Sequence, residues 1–414
     1  MKKSLTYLNF DEACKKSLEI ANPISKTEVA YTFDSLGKVV SKDIICKKNL
    51  PSFNNSAMDG VACRVEDSGK VLKIVDTIFA GDKKDFKDLN LGECYKIMTG
   101  AKVPSCVEVI IPIENCIQID SFSVEVPKNL KLNSNIRFKG EELKEGDVII
   151  KKGEKINSSS IALLASQGIN AIEVYRKIKI AVISTGNELK EPWESASEDE
   201  IYNCNASSII ALLKENSFNA TYCGVVPDSF EKSVDFIKSL EDFDLIITSG
   251  GISMGEADFL DEAFFKSGLD IAYHGVNLKP GRAMMLGNLN KSIVLSLPGN
   301  PLAAVINAYI FLLPIVKKIQ GERYFYHDFK ICKNKKSFRV KNGRVEAVLG
   351  RVINGVFEVT RDNKYGSGMI SPICESNSLM ISSGEADTIE EGKVLKILEF
   401  NNNFIDEKVN FLNY

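Results

Sequence analysis

The amino-acid sequence predicts an elongated multidomain α/β chain, with a central parallel-sheet α/β domain between small β-rich N-terminal and C-terminal domains. Three observations support this fold class. Short strand-like runs separated by turn residues fill residues 61–138, strands alternate with helices after Lys177, and strand-like runs return after Gly321. The predicted domains are an N-terminal α+β linker domain (1–50 and 139–176), an inserted small β domain (51–138), an α/β domain (177–322) and a C-terminal β domain (323–414).

Composition excludes several classes of protein. The 414 residues exceed one ordinary hydrophobic core, and a net charge of -3 gives no global field for nucleic acid or an acidic membrane surface. We therefore expect no nucleic-acid and no membrane partner. Ten cysteines lack CxxC and zinc-finger spacings, and no apolar leader follows the N-terminal lysines, so a cytoplasmic protein with reduced thiols is expected. The longest apolar run, Leu302–Val316, predicts a buried helix.

Periodicity places the main elements. Apolar residues at helical spacing after Asn9 predict a helix over about Phe10–Ala21. The strands expected in the outer domains are Val71–Ile78, Cys94–Met98, Val107–Ile113, Ser123–Val126, Phe338–Leu349, Gly355–Thr360 and Val394–Leu398, and a helix is expected over Ser159–Gln167. In the α/β domain we expect strands Ile178–Ser184, Thr221–Val226, Leu245–Thr248 and Ile293–Leu297 and helices Asn205–Leu213 and Phe230–Leu240.

The stretch FDLIITSGGISMGEAD, residues 243–258, combines a buried strand with a loop of small residues. These residues are Ser249, Gly250, Gly251, Ser253 and Gly255. A glycine-rich strand end that leads into a helix presents backbone N–H groups to a phosphate or another oxyanion. A simple tight turn explains the same residues equally well. Asp258, in the first helical turn, is either a helix-dipole residue or a metal ligand.

Four charged residues fall at the predicted ligand edge of the α/β domain, namely Glu188, Asp228, Asp258 and Lys279. Carboxylates beside a phosphate-binding loop suggest Mg²⁺, which prefers oxygen ligands and shares them with phosphate. Taken singly, each is more often a helix cap or a solvated charge.

Two turns are further candidates at this edge. Lys279-Pro280-Gly281-Arg282 is an anion clamp or an ordinary turn with exposed charges. Pro298, Gly299 and Asn300, ahead of Pro301, supply N–H donors or simply begin a helix. No GxGxxG or GxxxxGK[ST] motif is present, so a dinucleotide fingerprint and a P-loop are excluded.

Six ordered motifs together resemble the MoeA-type molybdopterin molybdenumtransferases, the family that includes the C-terminal domain of gephyrin. The motifs are LPSFNNSAMDG (50–60), MTGAKVP (98–104), VISTGNEL (182–189), IITSGGISMGEAD (246–258), LKPGRA (278–283) and LPGNPLAAV (297–305). The resemblance spans the chain to about Phe400.

The resemblance implies that molybdate is inserted into adenylylated molybdopterin, with Mg²⁺-dependent cleavage of the phosphoanhydride and release of AMP. It implies that the SGG loop, Asp258 and the PGN turn bind the pterin phosphate and nucleotide. Glu188, Asp228 and Asp258 are the implied acidic, Mg²⁺-binding positions, with Asp258 the first choice. Lys279 and Ser371 would contact the oxyanion. Asp59 and Thr99 belong to an N-terminal part that in this family reaches the α/β pocket of the other subunit of a homodimer.

Some details depart from the family pattern. Gly275 stands where a basic residue is often found, Glu142 replaces an aspartate, and either Arg344 or Arg351 is the expected arginine of the oxyanion site. The adenylyltransferase that supplies the substrate is a suggested partner. Two alternative functions stay open, a molybdopterin adenylyltransferase and a non-catalytic pterin- or nucleotide-binding scaffold. The release of AMP would separate all three.

Overall fold

The computed structural model describes residues 7–226, 229–250 and 259–400. Within these ranges a central mostly parallel sheet carries helices, and β-rich units precede and follow it. This arrangement confirms the predicted fold class. The ten cysteines all lie in the described ranges and are unpaired.

The N-terminal part begins with the helix Phe10–Ile20, which starts where the sequence predicts. The Asn9 side chain caps it by accepting a hydrogen bond from the Asp11 N–H at 2.9 Å. Strand Thr27–Tyr31 then pairs antiparallel with Ala171–Tyr175, which brings together the segments before and after the small β unit. The other elements of this part are strands Ile44–Ile45 and Val148–Ile150 and helix Ser158–Ser166.

The small β unit is a six-stranded mixed sheet with apolar residues on both faces. Successive side chains of a strand point to opposite faces of the sheet. In strand Glu93–Ile97, Tyr95 and Ile97 therefore pack in one core cluster and Cys94 packs in the other. In sheet order the strands are Val109–Pro112, Gly60–Cys63, Glu93–Ile97, Val71–Ile78, Ser123–Glu125 and Ile117–Asp120, and a separate pair joins Asn55–Ser56 to Ile136–Arg137.

The central sheet has six strands, of which four neighbours are parallel. In order these are Ala220–Val225, Ile180–Ser184, Leu245–Ser249 and Ser292–Leu297. Two antiparallel strands, Met285–Leu289 and Leu269–His274, extend the sheet and were not identified from the sequence. Their apolar residues are interrupted by Gly, Asn and Asp, which hides the strand pattern.

Both faces of the central sheet are covered. Alternate residues of each parallel strand enter two separate cores, as Val182 does on one face and Ala181 on the other. The covering helices are Cys204–Glu215, Phe230–Ser239, Phe259–Lys266 and the helical run Pro301–Asn307, Ala308–Leu312 (a π-helical segment) and Leu313–Ile319.

The run Pro301–Ile319 is the one described helix that is long and apolar enough to cross a membrane. Its apolar window is 78% buried inside the protein, so it is a core helix. The prediction of a buried helix in this stretch is confirmed.

The register of the parallel strands brings three loops to the same level. Ser184 lies opposite Ser249, and Ser249 lies opposite Leu297. The loops that begin at Thr185, Gly250 and Pro298 therefore leave the sheet side by side, at the edge where open α/β sheets bind ligands.

The C-terminal unit is a small closed barrel. Strand Val345–Ile353 pairs with both Val356–Val359 and Ser378–Ile381, and the other barrel strands are Lys330–Asn334 and Val394–Glu399. The prediction of a single strand over Phe338–Leu349 was wrong. It is split into Phe338–Arg339 and the long barrel strand by a turn in which Gly343 has φ +78°.

Candidate functional site

A cavity of about 850 Å³ opens at the carboxyl ends of the parallel strands. Three of its walls are the loops that leave the sheet together, and the remaining wall comes from the turn after Lys279 and a loop of the C-terminal barrel. The lining residues predicted from the sequence are Glu188, Ser249, Gly250, Pro298, Gly299 and Asn300.

The first loop carries Glu188 at the edge of the cavity. Its carboxylate folds back over Gly186, where a Cβ added to the glycine would lie 2.7 Å from Oε2. Gly186 has φ +136°, so both its backbone conformation and this close approach favour glycine. The carboxylate is exposed and lies beside the space that a ligand would fill.

Asn205 joins the other two loops. Its Nδ2 donates to Ser249 Oγ at 2.8 Å and to the Gly299 carbonyl oxygen at 2.7 Å. Gly250 follows Ser249 with φ +86°, and a Cβ added to Gly299 would lie 3.5 Å from the Gly250 Cα. The two glycine loops are thus held in close contact by one amide side chain.

Asn203, two residues earlier, anchors the same helix start. It is buried, and its Nδ2 donates to Ser184 Oγ at 3.0 Å and to the Tyr222 hydroxyl at 2.9 Å. Burial and the hydrogen bond to Glu191 raise the pKa of Tyr222 to about 12, so the phenol stays protonated. These bonds fix the helix N-terminus against the sheet.

The turn after Lys279 lies against the long core helix. Gly281 has φ +98°, and a Cβ there would collide with Asn307 Nδ2. The same Nδ2 donates to the Pro280 carbonyl oxygen at 3.2 Å. This contact directs Gly281 and Arg282 into the cavity lining.

Lys279 itself is held by the C-terminal barrel. Its Nζ donates to Glu346 Oε1 at 2.6 Å, and the Glu346 side chain is only 3% exposed. Residues 278–279 pair in parallel with Val345 and Glu346, so backbone and side-chain contacts join the two domains at this turn.

Two further arginines differ in their surroundings. Arg344 is half-buried and donates to the Leu278 carbonyl oxygen. Burial, and then the positive charge of Arg282, lower its pKa from the ordinary arginine value. Arg351 is exposed and lies opposite Glu358 on the next strand.

The barrel loop that closes the cavity is residues 366–368. Asn300 Nδ2 bonds to Ser367 Oγ at 3.1 Å, the Leu302 N–H donates to the Ser367 carbonyl oxygen, and both Ser367 and Gly368 line the cavity. Ser371, which the family resemblance implied as a contact of the oxyanion, lies at the start of the next helical turn. Its Oγ accepts a hydrogen bond from Arg361 at 3.1 Å.

Asp59 and Thr99 are brought together in the small β unit. The Thr99 N–H and Oγ1 both donate to Asp59 Oδ1 at 2.7 Å. These two bonds lower the pKa of the Asp59 carboxyl, which is therefore ionised at neutral pH. Both side chains are exposed, and neither belongs to the cavity lining.

Five predicted site residues lie outside the described residues: Asp228, Gly251, Ser253, Gly255 and Asp258. Among residues 7–226, 229–250 and 259–400, no group of three or more His, Cys, Asp or Glu side chains is placed to hold a metal ion. Of the predicted acidic positions, Glu188 is the one in the described part of the chain.

Sequence reasoning missed Asn205 and Ser367 and did not single out Arg282 from its turn. A signal was present for Asn205, since NCNA begins a helix directly after a predicted loop. Ser367 lies in the stretch GSGMIS (366–371) that also holds Ser371, but which of the two hydroxyls reaches the cavity depends on how the C-terminal barrel docks. Arg282 lay in a motif already noted, but only tertiary contacts separate it from Lys279.

The fold and the cavity define a multidomain α/β protein with a ligand site at the carboxyl edge of its central sheet. The chain matches the MoeA N-terminal region (domain I and II) over residues 8–168, a probable molybdopterin binding domain over 181–318 and the MoeA C-terminal region (domain IV) over 332–400.

Two relatives show how far this similarity extends. The chain is 32% identical over 407 residues to the molybdopterin molybdenumtransferase of Haemophilus influenzae, covering 95% of this chain and 99% of the relative. It is 29% identical over 386 residues to that of Staphylococcus epidermidis, covering 91% and 92%. The chain therefore belongs to the MoeA family of molybdopterin molybdenumtransferases, the enzymes of the final step of molybdenum cofactor biosynthesis, as the motifs predicted.

Solved structures agree with the fold. A crystal structure of the molybdopterin biosynthesis MoeA protein from Pyrococcus horikoshii superimposes with a TM-score of 0.83 at 24% identity, covering 95% of this chain and 100% of that chain. A second structure from the same organism gives 0.80 at 23% identity, covering 96% and 100%. At this level of identity the comparison shows the fold alone.

Proposed function

We propose that this chain inserts molybdate into adenylylated molybdopterin and cleaves the phosphoanhydride to release AMP, in a Mg²⁺-dependent reaction. The observation that carries the proposal is the cavity itself. Asn205 ties two glycine loops together on one side, while Arg282 enters from the turn that Lys279 begins. An elongated anionic substrate and an oxyanion need this combination of N–H donors and cations.

The phosphate and nucleotide portion of the substrate binds along the glycine loops. Ser249, Gly250 and the turn Pro298–Asn300 line this part of the cavity. Gly251, Ser253 and Gly255 are further proposed contacts, on the basis of the sequence motif alone. The positive φ at Gly250 supports this role, because a backbone without Cβ lets a phosphate oxygen approach the N–H groups.

Molybdate binds where the KPGR turn meets the C-terminal barrel. Lys279 is paired with Glu346, and Arg344 lies close enough to both Arg282 and Glu346 to be affected by their charges. These three cations and one carboxylate have a formal charge of +2. A dianion matches this charge. Arg344 is preferred to Arg351 because Arg344 is half-buried beside Leu278, whereas Arg351 is exposed. Ser371 remains a proposed contact, and Ser367 is the nearer hydroxyl to the cavity.

The residues present fit a Mg²⁺ ion shared with the substrate. Mg²⁺ is usually held by one or two carboxylates together with phosphate oxygens, and Glu188 supplies an exposed carboxylate beside the cavity. Asp258 and Asp228 are the other proposed ligands. When bound, the ion would neutralise charge on the phosphoanhydride oxygens.

Asp59 and Thr99 act in the site of the partner subunit of a homodimer. Their exposure supports this proposal, because both side chains are open to a second subunit and neither lines the cavity of its own chain. We propose that the adenylyltransferase that makes the substrate also delivers it to this protein, and that both proteins work in the cytoplasm.

The test is incubation of the purified protein with adenylylated molybdopterin, molybdate and Mg²⁺. We expect AMP release, measured by chromatography, and cofactor that reconstitutes a molybdenum enzyme lacking it. Asp258→Ala should abolish Mg²⁺-stimulated turnover with an unchanged thermal midpoint. Binding without AMP release would indicate a scaffold, and consumption of ATP to form the phosphoanhydride would indicate an adenylyltransferase.

A further inference from the structure

The residues before the first helix lie along the segment that leads into the KPGR turn. The Leu8 N–H donates to the Gly275 carbonyl oxygen at 3.0 Å, and the Asn277 N–H donates to the Leu8 carbonyl oxygen at 2.9 Å. Leu8 and Val276 thus form a parallel bridge. The N-terminal segment is fixed next to the site by backbone hydrogen bonds.

Gly275 makes room for the ring of Tyr7 in this arrangement. A Cβ at residue 275 would lie 2.7 Å from Tyr7 Cδ1 and 3.0 Å from Cε1, closer than packed carbon atoms allow. Gly275 also has φ +89°. The position where the family often carries a basic residue is therefore covered by the aromatic ring of Tyr7 in this chain.

The ring of Tyr7 in turn contacts a cation of the cavity. The Arg282 guanidinium carbon lies 4.2 Å from the ring centroid, within the range of a cation–π interaction. A cation–π contact holds a guanidinium without using any of its N–H donors. Among the described residues, no acceptor is hydrogen-bonded to the Arg282 guanidinium.

This support is needed because Arg282 has a like-charged neighbour. The charge of Arg282 disfavours the charged form of Arg344, and the nearby Glu346 is already paired with Lys279. Repulsion between the two guanidinium groups favours other positions of the exposed Arg282 side chain. The negative face of the Tyr7 ring offsets that repulsion without using a hydrogen-bond donor.

We propose that Tyr7 is a positioning residue that holds the Arg282 guanidinium with its N–H edge toward the cavity, where it binds a tetrahedral oxyanion of the substrates. This inference rests on the proposed function. The oxyanion is either molybdate or a phosphate of the adenylylated pterin, and the two share the same recognition chemistry.

The experiment compares Tyr7→Ala and Tyr7→Phe with the unaltered protein. Phe keeps the ring and lacks only the hydroxyl, so it should retain KM values within about twofold. Tyr7→Ala should raise the KM for one anionic substrate by about fivefold or more and leave kcat within about twofold. A rise for molybdate alone identifies molybdate as the ligand of Arg282, and a rise for the pterin alone identifies the phosphate.

Two controls separate positioning from folding. Tyr31→Ala removes a 68% exposed tyrosine of the strand Thr27–Tyr31 and should change neither KM. Calorimetric binding of inorganic molybdate alone and of AMP alone gives a readout independent of turnover, and one of the two should weaken in Tyr7→Ala.

Three results would overturn the inference: unchanged KM and binding in Tyr7→Ala, an equal loss in Tyr7→Phe, or a fall in kcat with no change in KM. Failure of the proposed function is distinguishable, because the unaltered protein would then release no AMP. The calorimetric comparison of the variants would still decide the role of Tyr7.

Discussion

The cavity wall and the Asp59–Thr99 pair are two parts of the predicted site, and they are built differently. In the cavity, Asn205 bridges Ser249 and Gly299 across adjacent loops, and Ser249 is only 3% exposed. Asp59 and Thr99 are bonded to each other in another domain, and both are exposed. One part is enclosed within the chain, and the other faces outward.

This difference bears on how the site is completed. A hydrogen-bonded carboxylate in open solvent interacts weakly with a distant charge, because water screens it. The same carboxylate interacts strongly once a protein surface covers it. The exposure of Asp59 is therefore what we expect of a group that works against a second subunit, whereas the hydrogen bonds that join the cavity loops lie within one chain.

The largest expected effect comes from breaking the outward-facing part. Asp59→Asn keeps the size of the side chain but removes its charge, and we expect kcat to fall roughly 100-fold or more. Arg282→Ala should also be nearly inactive, because it removes a cation of the cavity. Each variant would be assayed alone for AMP release.

Mixing the two inactive variants then tests whether the site is shared. In a mixed dimer, one shared site carries both lesions and the other carries neither, so about a quarter of the original activity should return in an equimolar mixture. If each site were built within a single chain, mixing the two variants would restore no AMP release. Co-expression with different affinity tags gives the mixed dimer directly.

A smaller effect is expected from the enclosed wall. Asn205→Ala removes two hydrogen bonds, each worth about 1 kcal/mol, that hold the glycine loops together. Binding of AMP should weaken by roughly tenfold, measured by calorimetry. Asn216→Ala, at the other end of the same helix, is the matched control and should bind AMP normally. Equal affinities for all three proteins would show that the bridge does not shape the site.

The smallest effect concerns the joint between the N-terminal part and the central sheet. Arg176 binds both carboxylate oxygens of Asp244, at 2.7 and 2.6 Å, and the Lys179 N–H adds a third bond. Asp244→Asn should lower the free energy of unfolding by roughly 1–2 kcal/mol at pH 7. Urea unfolding measures this change, with Asp235→Asn, in an exposed ion pair, as the control.

The pH dependence of that change follows from the Asp244 pKa. Burial alone would raise it, but the hydrogen bonds and charge of Arg176 outweigh burial, so the folded pKa lies below the ordinary value. The stabilisation is therefore present above the unfolded pKa of about 3.9 and is lost as pH falls through the folded pKa. If the difference in free energy of unfolding between Asp244→Asn and the unaltered protein grew as the pH was lowered, this explanation would be wrong.

Much of the fold could be predicted from local pattern. Strand Val71–Ile78 has the predicted bounds, and Leu245–Ser249 is buried on both faces as its unbroken apolar run indicated. The long strand predicted over Phe338–Leu349 failed, because a turn at Gly343 interrupts residues of high strand propensity. Turn conformation depends on contacts with the neighbouring loop, here the hydrogen bond from the Gly343 N–H to Gly384.

By itself, the sequence determined the fold class and the family, because these depend on periodicity and on short motifs that are local in the chain. Only the tertiary structure decided that Asn205 bridges Ser249 and Gly299, that Glu346 holds Lys279, and that Tyr7 supports Arg282. These pairs are far apart along the chain. Their contacts depend on strand register and domain docking, which no local pattern encodes.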